Sequence, residues 1–238
     1  MIGIVVILGV SWLLLVFIQE KGLSVLGFLP LKKALIQFSY GLASVMLIRA
    51  IILFFEAQFK SFEFTANPVF NPEELFSSFW YHFKSALTEE LMYRGALLYI
   101  LIQRIGPKKA IWITSLIFGV YHWFSYNMFG GAIVPMIYIL LITGVAGFVW
   151  AYAYHKTNSM TMAIGMHLGS NFFLSLFLPN QPYGELLYSI TGIAELSEWN
   201  QLYVALFSGL GPSILMFFAI KLYLTMEEKF NESEKALT

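Results

Sequence analysis

The sequence predicts an all-α fold, a polytopic bundle of about seven transmembrane helices, and two observations carry that expectation. Of 238 residues, 58% are hydrophobic and only 12% are charged, with a mean hydropathy of +0.72, which is not the composition of a soluble globular domain. Apolar runs recur along the whole chain, and several reach the roughly 20 residues that a spanning helix requires.

The apolar segments lie at about 2–18, 34–55, 73–103, 110–126, 131–153, 159–178 and 201–224, by length and hydropathy. The first lacks a positive flank and a small-residue cleavage site, so it is expected to be a retained helix and not a removed signal peptide. The third opens on "FNPEEL", with Asn71 as N-cap, Pro72 at the first helical position, and Glu73 and Glu74 at the positive end of the dipole. From Pro72 to Arg104 such a helix would run about 50 Å, well beyond a hydrocarbon core of about 30 Å, so it must enter the interface, tilt or bend.

Cationic residues then sort the connections. Alternate loops hold Lys21, Lys32 and Lys33, then Arg104, Lys108 and Lys109, then Lys156, and the C-terminal end holds Lys221, Lys229 and Lys235, whereas the intervening loops hold only Lys60. Because Lys and Arg are retained in the cytoplasm, seven spans with the N-terminus outside and the C-terminus cytoplasmic fit the pattern. By motif and composition the chain divides into an N-terminal pair of spans with an outer loop (1–72), a helical core (73–178), an outer loop with the last span (179–226) and a charged, solvated cytoplasmic tail (227–238).

Several functions are excluded outright. The chain has no cysteine, which removes disulfides, thiolate zinc sites and cysteine nucleophiles. It has no aspartate either, which removes the Ser-His-Asp triad and the paired-aspartate mechanism. Formal net charge is zero and no basic stripe exists, so nucleic acid is not an expected partner; membrane lipid is. No histidine begins H-E-x-x-H and no serine sits in G-x-S-G.

What remains is a small set of polar side chains inside spans, where a charge costs about 2.5 to 3.5 kcal/mol and therefore faces a cavity or a partner. In "TEELMYRG" Glu89, Glu90 and Arg94 fall within six residues. Adjacent residues on a helix point 100° apart, whereas i, i+4 neighbours meet, so Arg94 suits Glu90 as a brace and Glu89 is the freer carboxylate, the leading general base. Against this stands an ion-pair latch between helices with Glu89 inert. "FGVYHW" puts Phe118 and His122 on one face of the fourth segment, and "GMHLGSN" puts His167 and Asn171 on one face of the sixth, with Gly165 and Gly169 behind for close packing. Taken singly, His122 reads as an interfacial histidine beside Trp123, Phe124 and Tyr126, and His167 as a hydrogen bond within the bundle.

Depth joins the motifs. Counted from the cationic ends, Glu89 lies about 22 Å from Arg104, His122 about 20 Å from Lys109 and His167 about 17 Å from Lys156, at 1.5 Å per residue. Three segments thus bring one carboxylate and two imidazoles to one level. Other polar residues are expected to stay outside: Lys84 at the outer interface, Arg49 snorkelling about 9 Å from the end of its span, His82 and His155 solvated near helix ends, and Tyr93 packing or bonding to Glu89.

Together "EELMYRG", "FGVYH" and "HLGSN" resemble the E-E-x-x-x-R, F-x-x-x-H and H-x-x-x-N/B motifs of the CPBP family, the Abi or CAAX-processing prenyl protease type of intramembrane endopeptidase. The likeness covers roughly 73–178 and is specific only as a set. It implies a multi-pass peptidase with Glu89, Glu90, Arg94, His122, His167 and Asn171 at the site, acting on a membrane-associated peptide or protein. Eukaryotic members remove the last three residues of prenylated CAAX proteins; bacterial members are linked to bacteriocin immunity, surface-protein processing or scaffolding. A bacterial plasma-membrane location is expected.

The expected chemistry is water activated by Glu89 with His122, and an oxyanion stabilised by His167 and Asn171. Zinc held by His122, His167 and Glu89 is the alternative, although asparagine is a poor zinc ligand. A non-catalytic scaffold or immunity protein is the rival of another class. A transporter fits less well, because its polar residues should line a path and here they share one level.

Overall fold

The computed structural model describes residues 2–237, and among these the chain forms eight α-helices and one two-stranded ribbon. In order they are α1 (Ile2–Gln19), a single 3₁₀ turn (Leu23–Leu26), α2 (Leu31–Lys60), β1 (Glu63–Ala66), α3 (Pro72–Arg94), α4 (Ala96–Ile105), α5 (Pro107–Ser125), α6 (Ile133–Thr157), α7 (Thr161–Phe177), β2 (Tyr188–Thr191) and α8 (Glu198–Leu237). The all-α membrane bundle read from the sequence is the fold observed.

Among the described residues four helical stretches are long and apolar enough to cross a membrane: Ile2–Gln19, Leu23–Lys60, Ile133–Thr157 and Glu198–Ser233. Large apolar side chains such as Phe17, Leu47, Phe54, Trp112, Leu116 and Phe218 stand exposed on the outside of the bundle, where lipid is the solvent that suits them. α7 is the inverse case. It is buried without interruption from Thr161 to Ser170 and forms the axis around which the site is built.

Close backbone approach fastens α7 to α2. A Cβ on Gly165 would strike the Phe38 carbonyl of α2, one on Gly169 the Val45 side chain, and one on Gly41 the Met162 carbonyl of α7. In lipid, where burying apolar surface gives no drive toward association, such tight van der Waals contact is what holds helices together. The packing expected behind His167 is therefore present, and α2 supplies it.

The third apolar segment is not one helix. Asn71 Oδ1 accepts from the backbone N–H groups of Glu73 and Glu74 and Pro72 sits in the first turn, so its start is as read, but the helix stops at Arg94. Gly95 takes φ −79°, ψ −132°, and a Cβ there would collide with the Leu91 carbonyl oxygen. The excess length of the segment is thus resolved by a break at the one glycine inside it. α4 restarts in a new direction, and the count of depth from Arg104 along a continuous helix does not describe the path of the chain.

Connections sort to two ends. At one, Met160 N–H donates to the Leu26 carbonyl (3.0 Å), Ser159 Oγ donates to the Gly27 carbonyl (2.7 Å) and Lys33 pairs with Glu227 (2.8 Å). At the other, β1 pairs antiparallel with β2, Glu63 opposite Thr191 and Ala66 opposite Tyr188. This is the alternation that the Lys and Arg residues traced. At the C-terminus α8 continues through the charged stretch read as a separate tail, as far as Leu237.

Candidate active site

α3 buries a stripe of residues spaced by four, Ser78, His82, Ala86, Glu90 and Arg94, which lie on one helical face. That stripe meets α7. Ser78 Oγ and Ser175 Oγ share a hydrogen bond of 3.1 Å, and nearer the other end His167 Nδ1 lies 2.9 Å from Glu90 Oε1.

Glu90 is fully enclosed and its Oε1 receives two donors, His167 Nδ1 and Arg94 Nη1 at 3.3 Å. The ion pair foreseen at i, i+4 is present, and Glu90 has a second task that the spacing did not reveal: it orients the imidazole of another helix. Arg94 is also fully enclosed. Its guanidinium lies 4.1 Å from the centre of the Phe118 ring, with Trp150 at 5.4 Å and Tyr93 at 5.8 Å, so aromatic faces supply the attraction that water would otherwise give. Room for it comes from Gly147 on α6, where a Cβ would stand 2.9 Å from Arg94 Nη2.

His167 is clamped on two sides. A carboxylate only accepts, so Nδ1 carries a proton and donates to Glu90; Nε2 faces Glu89 Oε2 at 3.8 Å, beyond a hydrogen bond. The ring lies flat on the indole of Trp150, centroids 4.2 Å apart and planes within 17°. His122 is fixed differently. Its Nδ1 is 2.8 Å from the Phe118 carbonyl one turn back, and because a carbonyl only accepts, the neutral ring keeps Nε2 as its acceptor. Phe118 packs against it at 4.6 Å between centroids.

One cavity of about 780 Å³ joins these groups: Glu89, His122, His167 and Asn171 all line it, with Phe118 and Trp150. Glu90 and Arg94 stand behind its wall. The two adjacent carboxylates differ in position, since Glu89 keeps 17% of its side chain accessible and Glu90 none.

Three expectations are corrected. His82 is buried and lines the cavity, within 3.3 Å of the Pro182 carbonyl; it lies ten residues inside α3, so the connection after α7 covers it where solvent was expected. Arg49 does not snorkel. α2 continues to Lys60, and the guanidinium turns inward to Ser170 Oγ (2.7 Å). His122, read singly as an interfacial histidine, is buried because α5 turns that face toward the cavity. Tyr93 packs edge-on to Phe118 at 5.0 Å, as the packing reading had it.

Trp150 and Gly147 were not singled out from the sequence. Their spacing of three residues, which puts a large ring and a gap on one face of α6, is the only signal that could have marked them. Among the described residues no three His or Glu side chains are gathered as a ready-made metal cluster, while the Nδ1 bond to Glu90 leaves His167 Nε2 open toward the cavity.

Residues 71–173 match the family model described as type II CAAX prenyl endopeptidase Rce1-like. A Bacillus subtilis (strain 168) protein described as uncharacterized protein YyaK is 34% identical over 112 residues, covering 43% of this chain and 35% of that protein. The match thus spans about a third of that relative's length. No solved structure matches. The matched residues 71–173 hold all six candidate site residues, so the similarity to the type II CAAX prenyl endopeptidase Rce1-like model falls on the part of the chain that builds the cavity.

Proposed function

We propose that this protein is an intramembrane endopeptidase that hydrolyses a peptide bond of a membrane-associated substrate with water activated by Glu89 and His122. The observation that carries the reading is the shared cavity, in which a carboxylate with an unpaired buried oxygen, Glu89 Oε2, stands beside two imidazoles and an amide.

Glu89 takes a proton from water as its oxygen attacks the scissile carbonyl carbon, with His122 Nε2 as a second acceptor facing the same space. The carbonyl oxygen becomes an oxyanion, and Asn171 with the Nε2–H of a doubly protonated His167 donates to it. The C–N bond then breaks and the proton held by Glu89 passes to the leaving amine. Before attack, ionised Glu89, Glu90, Arg94 and doubly protonated His167 sum to zero charge, and once Glu89 holds the proton the oxyanion replaces its negative charge, so the low-dielectric site stays neutral throughout. The protein acts in a bacterial plasma membrane with its N-terminus outside, and needs no metal.

The test uses the full chain reconstituted in liposomes with quenched fluorescent peptides, prenylated and unprenylated. Cleavage that persists in chelator and is lost in Glu89→Gln supports the reading. Activity that chelator abolishes and zinc restores overturns the metal-independent chemistry, and undiminished cleavage by Glu89→Gln overturns the assignment of the base.

A further inference from the structure

A second polar cluster lines the same cavity away from Glu89. Arg49 of α2 donates Nε and Nη2 to Ser170 Oγ at 2.9 and 2.7 Å and Nη1 to the Ser208 carbonyl at 3.4 Å. Its three hydrogen bonds go to two neutral oxygens, and among the described residues no carboxylate comes within ion-pair distance of it. Glu56, which also lines the cavity, is held by Lys60 Nζ (2.6 Å) and by Ser208 Oγ (2.8 Å). Arg49 is the one Lys or Arg among the residues lining the cavity.

A guanidinium has five N–H donors; these bonds use three. A cation kept in a membrane interior with neutral partners is costly, and here it is held rigidly, its fork pinned by a serine of the helix that carries His167 and Asn171. Ser170 lies three residues beyond His167, about 4.5 Å along the helix axis. An extended peptide advances roughly 3.3 Å per residue, so a substrate whose scissile bond sits between Glu89 and His167 brings a group one to three residues away into reach of Arg49. The planar fork matches a carboxylate in shape and charge.

We propose that Arg49, positioned by Ser170, is a carboxylate-binding subsite that selects substrates with an anionic group close to the cleaved bond, either a free C-terminal carboxylate or an acidic side chain. The subsite rests on the cavity being where a peptide binds, as proposed above, but it does not require that the peptide be cut.

The test is therefore one of binding. Full-length Glu89→Gln protein in detergent is titrated with three fluorescent apolar peptides of one sequence, ending in a free acid, in an amide, or in an amide with glutamate as the last side chain. At least one anionic peptide should bind about tenfold more tightly than the neutral amide, the scale of one charge-assisted hydrogen bond; which one does so identifies the source of the carboxylate. Adding Arg49→Gln should remove the difference and Arg49→Lys should keep part of it. Equal binding of all three peptides, or a difference that survives Arg49→Gln, overturns the subsite. Wild-type protein that prefers the anionic peptide but never cleaves it overturns the peptidase reading and leaves the subsite standing.

Discussion

The imidazole of His167 lies flat against the indole of Trp150, with ring centroids 4.2 Å apart, and the same imidazole hydrogen-bonds Glu90 edge-on. Contact with a face and an edge together leaves the ring no free rotation, so Nε2 is held toward the cavity. Trp150→Phe keeps an aromatic face and should retain most cleavage, whereas Trp150→Leu should lower kcat by roughly a hundredfold, the scale of an angstrom-sized misplacement. Steady-state kinetics of the two variants, at equal thermal stability, separates positioning from folding.

Glu90 and Arg94 form a fully enclosed pair. Removing one partner leaves the other charge buried and unanswered, which destabilises by about 3 to 5 kcal/mol, whereas an apolar pair of similar volume can be close to neutral. Glu90→Gln should therefore unfold far more easily than the double variant Glu90→Leu/Arg94→Met. Denaturant unfolding in mixed micelles gives the comparison, and the double variant should be folded yet slow, because His167 has lost its acceptor.

Gly95 separates α3 from α4, and a Cβ there meets the Leu91 carbonyl. Gly95→Ala must either shift Arg94 from the aromatic box or straighten the break. Loss of folded protein, or a folded protein with little activity, is expected, while Gly106→Ala, where a Cβ meets nothing within 4 Å, should keep the site intact despite local strain from its positive φ. Yield after size-exclusion chromatography and turnover of the reconstituted protein decide it.

Glu89 and Asn171 should fail in different ways. Glu89→Gln removes the proton acceptor and should cost about 10² to 10⁴ in kcat, whereas Asn171→Ala removes one oxyanion donor and should cost about 10² to 10³ with KM nearly unchanged. Single-turnover kinetics with the same peptide measures both; a KM effect alone for Asn171→Ala would assign it to binding.

Much of this site could be read in the sequence because membrane burial makes polar residues expensive and therefore informative. Glu89, Glu90, Arg94, His122, His167 and Asn171 stood out for that reason, and the structure brings the cavity-facing four together. Arg49 and His82 carry the same polar signal but read as weaker candidates, because nearness to a helix end suggests an escape to water. α2 runs on to Lys60, past the end expected for it, and although α3 starts where expected, the Pro182 carbonyl of the connection after α7 closes over His82.

Local chemistry along the chain determined the helical class, the Asn71 cap, the alternation of the connections and the pairing of Glu90 with Arg94, since each depends on hydropathy, charge or 3.6-residue periodicity within one segment. Tertiary structure alone decided that Glu90 also orients His167, that Trp150 backs that ring, and that Gly147 opens space for Arg94. Those are contacts between α3, α6 and α7, and apolar or glycine positions in lipid-facing helices carry no sign in the sequence of which neighbour they meet.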